Sequence, residues 1–245
     1  MEDMLKNGSF NPFVVIDYAN SEIGTIQDVK TIINLTHKYN GVVYLDCTGS
    51  IPSIPIDVKE LDVDMLGFSA HKIHALKGCG VLYKKKDIKL RPLIYGSQED
   101  GLFSGTENVL GIASVGKAVE LLDYSKVNTK NRDYVLDYIS INIPNSHLVG
   151  SKIDRLPNNL FVSFSGVDGE QLATLLDEKG IQVSTGSACN SGSKTVSNTL
   201  EEIRLPNYLI HSCIRMTFSG GKTKEELDYV CRTLKDCVEI LRKFS

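Results

Sequence analysis

The sequence predicts an α/β protein in two parts, a mostly parallel sheet covered on both faces and then a small α+β domain, and three observations predict it. Short continuous apolar runs alternate with helically spaced apolar residues through the first half of the chain, the pattern of parallel strands packed between helices. From residue 123 to residue 155 the composition turns polar, rich in Asn, Lys and Asp. That stretch marks a boundary and sets the parts at 1–123 and 124–245. Beyond it the order of elements changes and ends in a long amphipathic helix.

Taken in order, residues 13–18 (FVVIDY) form a β-branched apolar run and read as a strand. Residues 25–39 carry Ile26, Val29, Ile32, Ile33 and Leu35 at mostly helical spacing and read as a helix. Residues 41–46 (GVVYLD), 65–69 (MLGFS) and 81–85 (VLYKK) are further short strands, parted by turn-rich stretches holding Pro52, Pro55, Gly78 and Gly80. A helix is expected over 109–122. In the second part, 159–165 (NLFVSFS) alternates like a half-buried strand, 169–179 reads as a helix, and 181–184 and 214–218 read as strands. The closing helix, 223–244, carries Leu227, Val230, Leu234, Val238 and Leu241 at spacings of three and four. Thr223 caps it, with Glu225 and Glu226 in its first turn.

With 245 residues, 42% hydrophobic and 23% charged, the composition is that of an ordinary globular protein with room for one large or two modest domains. The 27 basic and 30 acidic residues are scattered and leave a formal net charge of -3. No face is built to neutralise phosphates or to lie on an anionic membrane, so neither nucleic acid nor a membrane is an expected partner. The longest apolar runs, 11–18 and 41–45, fall short of the roughly 18 residues a membrane-spanning helix needs. The opening MEDMLK lacks a signal peptide's basic-then-apolar pattern, and the cytoplasm is the expected compartment. The six cysteines, Cys47, Cys79, Cys189, Cys213, Cys231 and Cys237, include no C-x-x-C pair. No metal site is expected from them, and most should be reduced, buried thiols.

Ser69-Ala70-His71-Lys72 follows directly on an apolar strand, which sets a lysine at the carboxyl end of a sheet, where α/β proteins bind ligands. Most lysines so placed are simply surface lysines in loops. Asp46 points further, because it too ends an apolar strand. An amine and a carboxylate at the ends of two strands are the pair that pyridoxal 5′-phosphate requires, the lysine to hold it covalently and the acid to keep its pyridine nitrogen protonated.

Several motifs then fall in one order: Asn20-Ser21-Glu22-Ile23-Gly24 with Gln27-Asp28, Asp46 in a D-x-T-x-S setting, Phe68-Ser69-Ala70-His71-Lys72, and Lys77-Gly78-Cys79-Gly80. They continue through Ser104-Gly105-Thr106, Ser187-Ala188-Cys189 and His211-Ser212-Cys213-Ile214-Arg215. Together, over roughly residues 13–241, they resemble the NifS-type cysteine desulfurases of the class V aminotransferase superfamily. The resemblance implies a fold type I pyridoxal-phosphate transferase, with a partial parallel-sheet large domain and a small α+β domain bearing a cysteine loop. It implies that Lys72 holds the cofactor and carries the proton at the substrate's α carbon, with His71 at the position beside it. Asp46 would pair with the pyridinium nitrogen, and Ser69 and Thr106 would hold the cofactor phosphate, Thr106 reaching into a neighbouring subunit's site. Arg215 resembles the arginine that grips the substrate carboxylate, a task suited to its planar pair of donors. Cys189, in a Gly-Ser-Ala-Cys-Asn-Ser-Gly-Ser stretch of small residues, would be the thiolate that takes sulfur from L-cysteine as a persulfide and releases L-alanine. Cys47 and Cys79 are expected close to the site.

The match has three departures. The family's chains extend well beyond this one at the N-terminus, and that portion supplies a ring-stacking aromatic residue and phosphate contacts. The family's asparagine before the glutamate is Ser21 here, with Asn20 in front of it as a partial substitute, and its glutamine after the strand-ending acid is Gly49. The implied partners are L-cysteine, a second copy of the chain in a homodimer, a sulfur acceptor protein leading to iron–sulfur cluster assembly, and a separately encoded N-terminal half. A second reading is a catalytically impaired NifS-like protein acting as a partner-binding or complementing subunit. A simple aminotransferase is disfavoured, because transamination has no use for the cysteine loop.

Overall fold

The structure is a computed structural model and describes residues 1–6, 8, 11–127, 129–186 and 197–244. The chain divides into two compact units, Met1–Tyr18 with Gln27–Tyr124, and Ala19–Ile26 with Ser125–Ser245. A strip of eight residues, 19–26, therefore leaves the first unit to belong to the second.

The first unit carries α1 (Glu2–Lys6), β1 (Phe13–Asp17), α2 (Val29–Lys38), β2 (Val42–Asp46), α3 (Val58–Leu61), β3 (Met65–Ser69), β4 (Gly80–Lys84) and α4 (Val109–Glu120). Its sheet has the order β1-β2-β3-β4. The first three strands are parallel, with Asp17 opposite Asp46 and Asp46 opposite Gly67. β4 instead returns antiparallel to β3, Ser69 facing Gly80, because residues 70–79 are fewer than the dozen or so that a parallel crossover needs. Helix α2 begins at Val29, later than its apolar spacing suggests, because Asp28 caps it by accepting the Thr31 N–H at 3.2 Å. Its Val29 and Ile33 pack on Val43, Leu45, Cys47, Val63 and Leu66 to form this unit's core.

Cover on both faces, expected of parallel strands, is uneven among the described residues. Val43 and Leu45 of β2 are fully buried, yet Phe13 and Val15 of β1 are 61% and 62% exposed. The apolar helix α4 buries Gly111 alone. An ionic cluster closes the opposite edge of the sheet from the strands' carboxyl ends. Asp64, just ahead of β3, accepts the Val43 N–H at 2.8 Å, His37 Nε2 at 2.8 Å and Lys85 Nζ at 2.9 Å.

The second unit carries α5 (Lys130–Asn142), β5 (Ser146–Leu148), β6 (Asn159–Phe164), α6 (Gly169–Glu178), α7 (Asn198–Glu202), α8 (Asn207–Ile210), β7 (Cys213–Thr217) and α9 (Lys224–Arg242). β5, β6 and β7 form an antiparallel sheet in that order. Strand β6 is buried along its whole length rather than half-buried as its alternation suggests. Leu160, Val162 and Phe164 face the core built with α5, α6 and α9, while Phe161 joins Ile23, Val149, Leu200 and Cys213 on the other side. Residues 181–184 are not a strand; only Ser184 pairs, as a single bridge to Arg215. Helix α5 occupies part of the polar stretch, anchored by Val135 and Ile139. Helix α9 opens on a full capping box, with the Glu226 N–H donating to Thr223 Oγ1 at 3.2 Å and the Thr223 N–H to Glu226 Oε2 at 2.8 Å. Among the described residues no helix is long and apolar enough to cross a membrane.

Burial pushes the Asp64 carboxyl up, but its bonds from His37, the Val43 N–H and Lys85 outweigh that and hold it below the ordinary carboxylate value. A lowered folded-state value stabilises the fold above the unfolded value and ceases to do so as pH falls through the folded one. Asp64→Asn should therefore lower unfolding free energy by about 1 to 3 kcal/mol at pH 7. Urea denaturation of both proteins should show the gap closing below about pH 4. A gap that stays constant down to pH 3 would contradict this role.

Candidate active site

In the first unit the parallel register sets the ends of β1, β2 and β3 side by side. Asp46 closes β2, and its Oδ1 accepts the Thr48 N–H at 2.8 Å, turning the chain sharply. Thr48 Oγ1 in turn accepts the Ser69 N–H at 3.3 Å, which ties the end of β3 to the turn after β2. The chain then enters a 3-10 turn, Ala70–Ile73, whose apolar members Ala70 and Ile73 are buried while His71 and Lys72 are exposed. His74 ends the turn in the left-handed conformation at φ 68. The Ala70 N–H donates to the Cys79 carbonyl at 3.1 Å, so the Lys72 turn is braced from β4. Among the described residues Lys72 forms no ion pair, and Asp46 Oδ2 has no partner.

A cavity of about 520 Å³ opens beside this turn, lined by Cys79, Gly80, Phe103, Gly105, Thr106 and Asn108 with part of α4. Asn108 Nδ2 donates to Cys79 Sγ at 3.4 Å. The structure thus brings Thr106 together with Cys79. Asp17 is an acid the sequence reading passed over. It faces Asp46 across β1 and β2, and its carboxyl is pushed up by partial burial and then by the Asp46 charge.

In the second unit, Asn20, Ser21, Glu22 and Gly24 form one tight turn. Asn20 Oδ1 accepts the Glu22 and Ile23 N–H groups, each at 3.0 Å, and the Gly24 N–H donates to the Asn20 carbonyl at 2.9 Å. Gly24 sits at φ +74, where a Cβ would come within 2.4 Å of Asn159 Oδ1, so a side chain there would be strained and would displace Asn159. The Asn20 side-chain oxygen is therefore committed to the turn, and its Nδ2 donates to Thr199 Oγ1 at 3.4 Å. Arg215, on β7, donates from Nη1 to the Ser21 carbonyl at 3.0 Å. Burial pushes its guanidinium down, and the Glu22 charge acts the other way.

Cys189 lies outside the described residues. The other thiols sort by burial. Burial pushes Cys47 and Cys213 up to about 12 and Cys231 up to about 11, and it raises Cys237 as well. Cys79 alone of the five described thiols is half-buried rather than buried. Among the described residues no group of three or more His, Cys, Asp or Glu is placed to hold a metal ion.

The donor set of the first unit fits pyridoxal 5′-phosphate. An exposed amine, an open carboxylate oxygen at a strand end, and hydroxyls on Ser69 and Thr106 are the groups that a cationic pyridine, an aldehyde and a phosphate call for.

The family model for class V aminotransferases matches residues 10–230. A cysteine desulfurase IscS from Dictyoglomus turgidum is 41% identical over 238 residues, which are 95% of this chain and 60% of the relative. A solved NifS-like protein superposes with a TM-score of 0.83 at 34% identity, covering 100% of this chain and 65% of that one. A structure described as SspA in complex with cysteine superposes at 0.73 with 27% identity, covering 91% and 63%. The chain thus spans about 60% of the length of the curated relative it matches.

A thiol held near 12 is ionised in about one molecule in ten thousand at pH 8, too little to react as a thiolate. Brief iodoacetamide treatment of the native protein at pH 8, read by peptide mass spectrometry, should label Cys79 and leave Cys47, Cys213, Cys231 and Cys237 unmodified. Labelling of Cys47 or Cys213 in folded protein would refute the burial argument.

Proposed function

The chain belongs to the class V aminotransferase family, whose members use pyridoxal 5′-phosphate, and on that footing we propose that it acts in a cysteine desulfurase reaction. The observation that carries this reading is the shared strand edge of Asp46 and the Lys72 turn, fastened through Thr48 and Ser69. When bound, the cofactor supplies a cationic ring that accepts negative charge from the substrate's α carbon. Lys72 holds it and moves the proton at that carbon. Asp46 keeps the ring nitrogen protonated, Ser69 takes the phosphate together with a Thr106 that reaches in from the neighbouring subunit, and His71 stands beside the lysine. Arg215 binds the substrate carboxylate, and Asn20 and Ser21 contribute through the backbone of their turn.

The substrate is L-cysteine, and the Cys189 thiolate attacks its sulfur. A sulfur–sulfur bond forms as the carbon–sulfur bond breaks, the electron pair stays on carbon, and a proton there completes L-alanine. The Cys189 thiol is oxidised to a persulfide while the substrate carbon is reduced, with no outside oxidant. The persulfide sulfur passes to an acceptor protein of the kind used in iron–sulfur cluster assembly. The exposed apolar side of α4 and the outer face of β1 are covered by a second copy of the chain in a homodimer. The free, buried thiols suit the cytoplasm.

Purified chain mixed with pyridoxal phosphate should gain a visible absorbance band, and borohydride should fix the added mass on the Lys72 peptide. Lys72→Ala should lose both; Cys189→Ser should keep both and lose persulfide formation from L-cysteine. No band in folded protein, with band and activity restored only by a polypeptide carrying the rest of the relatives' length, would replace the homodimer with a separately encoded N-terminal half. No band under either condition would favour the second reading, a partner-binding subunit without chemistry, which Ser21 and Gly49 support. In active protein, Arg215→Ala should raise KM for L-cysteine at least about tenfold, the equivalent of one charge-assisted hydrogen bond. An unchanged KM would remove Arg215 from the substrate.

A further inference from the structure

The backbone of Arg215 is firmly placed and its side chain is not. It lies in the middle of β7, opposite Phe161 of β6 on one side and joined to Ser184 on the other by two backbone bonds, at 3.0 and 2.5 Å. A long guanidinium side chain on a fixed strand keeps its rotamer freedom until something holds its tip. Among the described residues that hold is one hydrogen bond, from Nη1 to the Ser21 carbonyl at 3.0 Å.

The Ser21 carbonyl and the Glu22 N–H belong to one planar trans peptide unit, so they point in opposite directions and a partner on either end aims the other. Asn20 Oδ1 is the partner on the N–H end, accepting it at 3.0 Å. The same oxygen takes the Ile23 N–H at 3.0 Å, but that next peptide unit has a second support. Its carbonyl, that of Glu22, accepts Asn159 Nδ2 at 3.2 Å, and the Asn159 amide is itself held by Arg155 Nη1 at 3.2 Å. The Gly24 carbonyl likewise accepts the Leu156 N–H at 2.8 Å. The far side of the turn is therefore anchored without Asn20, and the Ser21–Glu22 peptide depends on Asn20 for its direction.

We propose that Asn20 is a positioning residue for Arg215, whose guanidinium is held by the carbonyl that the Asn20 side chain aims. Asn20 thereby serves substrate binding through the arginine and not by touching cofactor or substrate. That consequence rests on the reading of Arg215 as the group that binds the substrate carboxylate. The hold on the guanidinium does not, and it is read without cofactor or substrate, so failure of the desulfurase reading and failure of the positioning role give different results.

The test is the rate at which phenylglyoxal, an arginine-selective reagent, modifies Arg215 in the native chain, followed by peptide mass spectrometry. Asn20→Ala should raise that rate roughly tenfold, the effect of losing one hydrogen bond to a charged group. Asn20→Gln, whose amide is one methylene too long to close the same turn, should act as the alanine does, and it replaces the alanine variant if that one does not fold. Asn20→Asp keeps the accepting oxygen and should stay within about twofold of the parent. Arg155, with 4% of its surface exposed, should remain unmodified throughout. In active protein Asn20→Ala should raise KM for L-cysteine about tenfold and leave kcat within about threefold. Adding it to Arg215→Ala should raise KM no further, because both remove the same contact. Unchanged Arg215 modification in the alanine and glutamine variants, or an aspartate variant as reactive as they are, would overturn the inference. So would modification of Arg155 alongside Arg215, which marks general loosening of the unit, or a parental KM in Asn20→Ala where Arg215→Ala raises it. A KM that Arg215→Ala leaves unchanged overturns the reading of Arg215 instead, and the modification rates then decide the positioning role alone.

Discussion

Parallel pairing of β1, β2 and β3 is the constraint on which the candidate site depends. Parallel strands point the same way, so their carboxyl ends share one edge whatever the sequence between them. Asp17, Asp46 and Ser69 are far apart in the chain and neighbours in the sheet for that reason alone. The register survives because Val43, Leu45, Val63 and Leu66 are buried against α2, and a slip by one residue would turn those side chains outward. The arrangement has an electrostatic consequence, since two carboxylates end adjacent strands and Asp17 is driven toward its protonated form. Asp46 accepts the Thr48 N–H through Oδ1, and no described residue bonds its Oδ2.

Much of this was legible in the chain. The apolar runs located all four strands of the first sheet, and the strand-ending positions of Asp46 and the lysine turn followed from them. The antiparallel return of β4 was not legible from composition, because VLYKK looks the same in either direction; the length of the connection decides it. Helix α5 was hidden for a different reason. It presents few apolar residues to the core, Val135 and Ile139 among a polar run, so its periodicity is weak where the overall polarity is strong. Strand β6 misled in the other direction. Its alternation of Leu160, Val162 and Phe164 with polar neighbours suggests one wet face, but Asn159 and Ser163 are buried and hydrogen-bonded, and Phe161 anchors a second core.

The motif Asn20 to Gly24 shows where reading by residue type reaches its limit. In sequence, Asn20 stood ready to replace a cofactor-binding asparagine at the next position. In the fold its oxygen satisfies two backbone N–H groups, and its amide reaches Thr199. An Asn that holds a turn together in this way has little capacity left for a ligand. The information was local, a side chain competing for its own backbone two and three residues on, and a comparison of motif letters does not carry it. The cysteines gave the reverse case. Sequence alone treats their thiols alike apart from the small residues around Cys189, which lies outside the described residues; burial separates four of the five described thiols from Cys79.

Helix α4 connects the site to the surface of the first unit. A helix apolar on most of its faces is ordinarily buried, yet Val109 and Leu110 are among its exposed side chains, and Gly111 is its only buried residue. The same helix contributes Ile112 and Val115 to the wall of the cavity that holds Thr106 and Cys79. A surface laid over α4 would therefore both bury those side chains and narrow the cavity. Excluding water there would strengthen every polar contact inside the cavity, since charge–dipole interactions grow as the local dielectric falls. Cover for α4 and closure of the cavity are in this way linked by the position of a single helix.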